Sequence, residues 1–183
     1  MLFNRLLEID KVSDSIGNIN YREAVRAVIM KKNKILMVYS INGDYKFPGG
    51  GIKKGESKIE ALVREVEEET GYICTKINKK LGIVTERSKD KYVHDRIFKM
   101  ISYYYIAEVS DEIKEQKLDA YEEKLRFTPV WIDLLEAIKN NERIIDINLE
   151  NKPNWIGRET YVLKELYNNL KNKICFDRNI TES

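Results

Sequence analysis

The chain has 183 residues, enough to bury the core of one domain of mixed composition, and 32 Lys and Arg against 30 Asp and Glu leave a formal charge of +2. That balance argues against long RNA or an anionic membrane as the main partner. Charged residues make up 34% of the chain and no apolar run approaches the ~20 residues of a membrane-spanning helix.

The opening MLFNRLLEIDKVSDS breaks its apolar residues with charges too early for a secretory signal, so a cytoplasmic location is expected. Its form is not readable, and residues 1–20 are taken as an N-terminal extension of a single domain over 1–183. Val25–Met30 and Ile35–Tyr39 are short β-rich runs on either side of KKNK, which reads as a hairpin of neighbouring strands. After three consecutive glycines, Ser57–Thr70 has helical spacing, with Ile59, Leu62, Val63 and Val66 as the apolar stripe. Extended stretches follow over Tyr72–Glu86 and Arg96–Val109, joined by the polar loop RSKDKYVHD. A charged stretch, Ser110–Lys124, leads to a last strand in FTPVWI, a short helix in LLEAIKNN, and a C-terminal helix over about 155–172 packed on the domain. Helices and strands interleave without a regular βαβ repeat, which points to an α/β sandwich with a mixed sheet. Cys74 and Cys175 have no CxxC or Cys/His spacing and read as reduced thiols.

The helix after the glycines has local signals at both ends. Ser57 is placed to cap its start with Glu60 completing a capping box, and Gly71 to end it in a left-handed conformation. Glu65, Glu68 and Glu69 fall within about 100° of one another on a side distinct from the apolar stripe. Like charges at these spacings cost an isolated helix roughly 0.2–0.5 kcal/mol per pair, a penalty that a divalent cation reverses. Hard oxygen ligands suit Mg²⁺ or Mn²⁺, and Mg²⁺ fills the rest of its shell with water and substrate phosphate, so a phosphorylated substrate is expected. Arg64 is placed to orient a carboxylate such as Glu56 or Glu68. Gly49, Gly50 and Gly51 permit a sharp bend and close backbone approach to metal or phosphate.

Counting from Gly50, five residues lead to Glu56 and seven more to Arg64 and Glu65, followed by Val66, Glu68, Glu69 and Gly71. This resembles the Nudix box, G-x5-E-x7-R-E-U-x-E-E-x-G-U with U aliphatic; Tyr72 stands at the last U, a departure, with Ile73 beside it. The box covers Gly50 to Tyr72, and a compatible order of elements extends from about Val25 to Lys139.

The resemblance implies a Nudix-like α/β/α sandwich and a Mg²⁺- or Mn²⁺-dependent hydrolase that cleaves a phosphoanhydride bond in a nucleoside diphosphate-linked small molecule. It implies Glu65, Glu68 and Glu69 as metal ligands, with Glu56 and Arg64 supporting them. A further acidic residue often comes from a loop before the strand that carries a Trp; Glu122 and Glu123 both precede FTPVWI, and Glu123 is taken as the catalytic candidate, with Glu65 the rival base. For substrate, Arg26 is preferred over Arg22 as the phosphate contact, the Gly50–Gly51 backbone approaches the diphosphate, and Phe47 or Tyr45 offers a ring to a base, with core packing the competing role. His94 reads as an exposed loop residue, and Trp155 as an anchor for the C-terminal helix. A non-catalytic nucleotide-sensing module and an isoprenoid diphosphate isomerase share this fold. The carboxylate set is intact and neither cysteine has a catalytic context, so hydrolysis is favoured. Nothing in the sequence fixes the oligomeric state, and a homodimer is compatible with it.

Overall fold

The computed structural model describes residues 1–10, 18–147 and 153–181. Its elements are β1 (Phe3–Glu8), β2 (Ile19–Val28), β3 (Met30–Lys31), β4 (Lys34–Tyr39), β5 (Tyr45–Lys46), α1 (Lys58–Thr70), β6 (Tyr72–Lys89), β7 (Ile97–Ile113), α2 (Ala120–Lys124), β8 (Thr128–Asp133), α3 (Leu134–Asp146) and α4 (Ile156–Thr181). One sheet has the order β1-β6-β7-β2, with β6 and β7 antiparallel and both outer strands parallel to their neighbours. The other joins β3, β4 and β5, with β8 also paired to β4.

The alternation of strand side chains builds two cores, one on each side. Val25 and Ala27 of β2 and Leu36 of β4 face α1, where they meet Ala61, Leu62 and Val66. Val28, Ile35 and Met37 point the other way, into a core with Phe47, Tyr104, Ala137 and Ile138 of α3, and Val162, Leu163 and Leu166 of α4. The result is the mixed-sheet α/β/α sandwich that the element order suggested.

Three local readings need correction. The run Val25–Met30 is not one strand of a hairpin: Val25–Val28 pair with Tyr103–Ile106 of β7, and the chain returns against β4 from Ile29, whose O accepts from Leu36 N, through Met30 and Lys31. The hairpin turn itself is as expected, with Lys32 and Asn33 both at positive φ (49° and 64°), the geometry of a type I′ turn. The N-terminal segment, taken as an extension of unread form, is part of the sheet: Phe3–Glu8 add a parallel edge strand to β6, and the Phe3 ring meets Tyr104 edge-on at 5.5 Å. Finally, Ile59 is 45% exposed, and the buried side of α1 instead carries Leu62 and Val66 together with Glu65 and Glu69. Both helix ends are capped as read: Ser57 Oγ accepts from Glu60 N at 3.2 Å, Glu60 Oε2 accepts in turn from Ser57 N at 2.9 Å, and Gly71 sits at φ 73°.

Among the described residues, no helix is long and apolar enough to cross a membrane.

Candidate active site

The glycine loop lies along the outer edge of β2. Val25 N donates to Gly50 O at 3.0 Å, Ala27 N to Pro48 O at 2.8 Å, and Ile52 N to Glu23 O at 3.2 Å, with Ala24 and Gly51 forming an isolated bridge. The loop therefore runs beside β2 at hydrogen-bonding distance, directly in front of the buried side of α1. Gly50 has no side chain because the Glu65 carboxylate occupies the place of its Cβ.

The first group at this junction is organised by Arg64. Its guanidinium donates to Glu56 (Nε to Oε1 2.6 Å, Nη2 to Oε2 2.8 Å), to Glu65 at 2.7 Å, to Glu68 at 3.0 Å and to Gly51 O at 3.2 Å. Those bonds pull the Glu56 carboxyl down to about 2, helped by the Lys53 amide. Arg64 thus ties the loop, the helix start and two helix carboxylates into one rigid unit.

The second group is centred on Glu69, which is 1% exposed. Gly49 N donates to its Oε2 at 2.8 Å, and the buried Lys46 ammonium pairs with its Oε1. On the other side of the same glycine, Arg26 Nη1 and Lys46 Nζ donate to Gly49 O. Arg26 is buried, so its head holds the loop backbone, whereas Arg22 is exposed with its guanidinium against Gly51.

Glu65, Glu69 and Glu122 converge: one carboxylate oxygen of each lies within 4.8 Å of the others. Glu122 comes from α2, whose N-cap Asp119 and N3 residue Glu122 form a capping box that fixes the direction of the side chain. Burial raises the pKa of all three, opposed by Arg64 at Glu65, by Lys46 at Glu69 and by the Asp119 amide at Glu122. Three partly desolvated carboxylates at this spacing repel one another, and an all-oxygen set of this kind fits a hard divalent cation such as Mg²⁺ or Mn²⁺.

Several sequence-based assignments change here. Glu68 is turned towards Arg64, with its side chain 32% exposed, outside the convergent trio. Glu123 is exposed, and it is its neighbour Glu122 that converges with Glu65 and Glu69. Phe47 is fully buried and packs edge-on against Tyr104 at 5.5 Å, so its ring is closed to a base. Tyr45 leans on Tyr39 with ring centroids 5.1 Å apart. His94 is exposed beside Asp95, and Trp155 donates to Asp44 at 2.6 Å while packing on Phe127. Tyr72, the departure from the box, has a local reason: its hydroxyl accepts from Trp131 Nε1 at 2.8 Å and the two rings meet edge-on. Sequence reasoning missed Lys46 and the buried Glu86, Arg158 and Glu159, none of which stands in a spacing that signals a role.

Comparison with known proteins shows the family and the fold. The NUDIX domain matches residues 20–149. An ADP-ribose pyrophosphatase of Methanocaldococcus jannaschii is 38% identical over 90 residues, which is 47% of this chain and 50% of that protein, so the chain spans half of that relative's length. A methanol dehydrogenase activator of Bacillus methanolicus is 27% identical over 164 residues, covering 73% of this chain and 88% of that one. A solved NUDIX hydrolase from Nitrosomonas europaea is similar in fold, with a TM-score of 0.55 at 18% identity over 82% of this chain and 90% of its own. With the domain match spanning most of the chain and the full motif folded into one loop–helix junction, the chain belongs to the Nudix family.

Proposed function

We propose that the protein is a Mg²⁺- or Mn²⁺-dependent pyrophosphohydrolase acting on a phosphoanhydride bond in a nucleoside diphosphate-linked small molecule. The observation that carries this reading is the convergence of Glu65, Glu69 and Glu122 within 4.8 Å beside the glycine loop. Glu65, Glu69 and Glu122 would hold the cation, while Glu68 stands beside them on Arg64, outside the trio. A cation bound there supplies charge neutralisation at the diphosphate and activation of the attacking water.

The chain's own residues supply the rest. Arg64 and Glu56 keep the helix and loop in fixed register. Arg22, exposed at Gly51, takes the phosphate contact expected of Arg26, and the Gly50–Gly51 backbone lines the approach. Glu122 is half-buried within the trio, placed to take a proton from the attacking water, and Glu65 is its rival for that role.

ADP-ribose is the first substrate to try, because a relative named ADP-ribose pyrophosphatase aligns over 90 residues. The test is phosphate release after coupling to a phosphatase, from ADP-ribose, nucleotide sugars, nucleoside triphosphates and dinucleoside polyphosphates, with Mg²⁺, Mn²⁺ or EDTA. Turnover that needs the cation and selects one class supports the proposal. Folded protein that binds nucleotide and turns over none of them refutes it in favour of a sensing module.

A further inference from the structure

Resting on the hydrolase reading above, we propose that Glu159, on α4 and outside the family motif, is a positioning residue for the reaction: it acts through Phe47 and Arg26 on the Gly49 peptide that holds Glu69. Glu159 is fully buried. Its Oε2 accepts from Phe47 N at 3.3 Å, and its Oε1 accepts from Arg158 at 2.6 Å and lies 3.8 Å from Arg26 Nε. Among the described residues Arg26 Nε has no hydrogen-bond partner, and Glu159 Oε1 is the carboxylate oxygen within ion-pair range of it. At its other end the Arg26 guanidinium donates to Gly49 O, and the N–H of the same glycine donates to Glu69 Oε2 at 2.8 Å.

A connected path therefore runs from α4 through Arg26 and Gly49 to a carboxylate of the convergent trio, and a second runs through the Phe47 amide into the start of the same loop. A helix that needed only to pack would be served by Val162, Leu163 and Leu166, which already fill the core. Burying Glu159 and Arg158 there is expensive unless both are satisfied. What this placement achieves is a fixed anchor for the loop, and small displacements of groups that orient reacting atoms lower rates steeply.

The network's far end provides the control. Arg158 also pairs with buried Glu86, which touches neither Phe47 nor Arg26 in the bonds described. In the full-length chain, Glu159→Gln, Arg26→Lys and Glu86→Gln are compared by kcat and KM on the wild-type substrate, by Mn²⁺ affinity without substrate from the free-Mn²⁺ paramagnetic resonance signal, and by Tm. Glu159→Gln and Arg26→Lys are expected to lose about 10–100-fold in kcat and in Mn²⁺ affinity, with KM changed less than about threefold. Glu86→Gln is expected to lose Tm to a similar degree while keeping kcat and Mn²⁺ affinity within about twofold.

Wild-type Mn²⁺ affinity and kcat in Glu159→Gln, or equal losses in Glu86→Gln, overturn the proposal, the latter by reducing the network to an anchor for α4. If Glu159→Gln does not fold, Arg26→Lys carries the same test, since it keeps the cation and shortens its reach to Gly49. If the wild-type chain hydrolyses nothing, the hydrolase reading fails, while the Mn²⁺ measurement still decides the role of Glu159.

Discussion

Replacing Glu122 by Gln should make the metal-free protein more stable and the enzyme slower. Glu122 contributes one of three carboxylate oxygens within 4.8 Å of one another. A pair of unit charges at that spacing repels by about 0.9 kcal/mol in water and by about 3.5 kcal/mol at an effective dielectric of about 20. Glu122 is half-exposed, so the lower figure is nearer the truth, and its two pairs sum to about 2 kcal/mol. Gln retains the capping-box bond from Asp119 N, so little is lost locally. The net gain of about 1–2 kcal/mol corresponds to a Tm rise of about 2–8 °C in EDTA. With Mn²⁺ present the gain should vanish or reverse, because the cation needs the charge, and turnover should fall by about 10²–10⁴-fold if Glu122 is the base. Scanning calorimetry with and without Mn²⁺, paired with rate measurements, reads all three effects. Glu123→Gln is the control and should change none of them. An unchanged Tm in EDTA for Glu122→Gln, or the same shift in Glu123→Gln, would refute the reading that Glu122 completes the cluster.

Other outcomes follow from the same geometry. Glu69→Gln removes a carboxylate of the convergent trio while its amide oxygen can still accept from Gly49 N, and should cost nearly all turnover; near-normal rates would contradict this. Gly50→Ala sets its methyl against the Glu65 carboxylate that Arg64 holds, so turnover should fall by more than about tenfold, and normal rates would speak against it. The raised carboxyls Glu65, Glu69 and Glu122 have folded pKa values above the unfolded 4.5, so their contribution favours folding at low pH and is lost as pH rises through those values. Glu56, held down to about 2, acts oppositely and loses its contribution as pH falls below the unfolded 4.5. Metal-free protein should therefore be more stable just above pH ~4.5 than at neutral pH and weaken again below it, with saturating Mn²⁺ flattening the neutral side; a Tm that climbs steadily from pH ~5 to 8 in EDTA would contradict this.

The parts of the molecule that were legible in sequence are those specified by neighbours along the chain. Ser57, Glu60 and Gly71 bound α1 by bonds to residues three or four positions away, and Lys32 and Asn33 turn the hairpin within two residues. The box spacing likewise places Arg64 against Glu56, Glu65 and Glu68. What was not legible depends on contacts across the fold. The split of Val25–Met30 between two sheets is decided by β7, more than 70 positions away in the register of Val25 with Tyr103. The choice of Glu122 over Glu123 depends on the Asp119 cap, which aims one side chain inward and leaves the other in solvent. Arg26 and Phe47 stand where a substrate contact was expected, yet a helix that begins 130 residues after Arg26, at Ile156, brings Glu159 over both and turns them inward.

The position of the glycine loop has a consequence for solubility. In the order β1-β6-β7-β2, β2 is an outermost strand whose free N–H and C=O groups would invite a strand from another molecule. The bonds from Val25 and Ala27 to Gly50 and Pro48, and from Ile52 to Glu23, occupy that edge. The glycine segment beside the carboxylate trio is thus also the seal on an otherwise sticky border, and a substitution that loosens it exposes the protein to self-association at the same moment that it displaces the groups around Glu65 and Glu69.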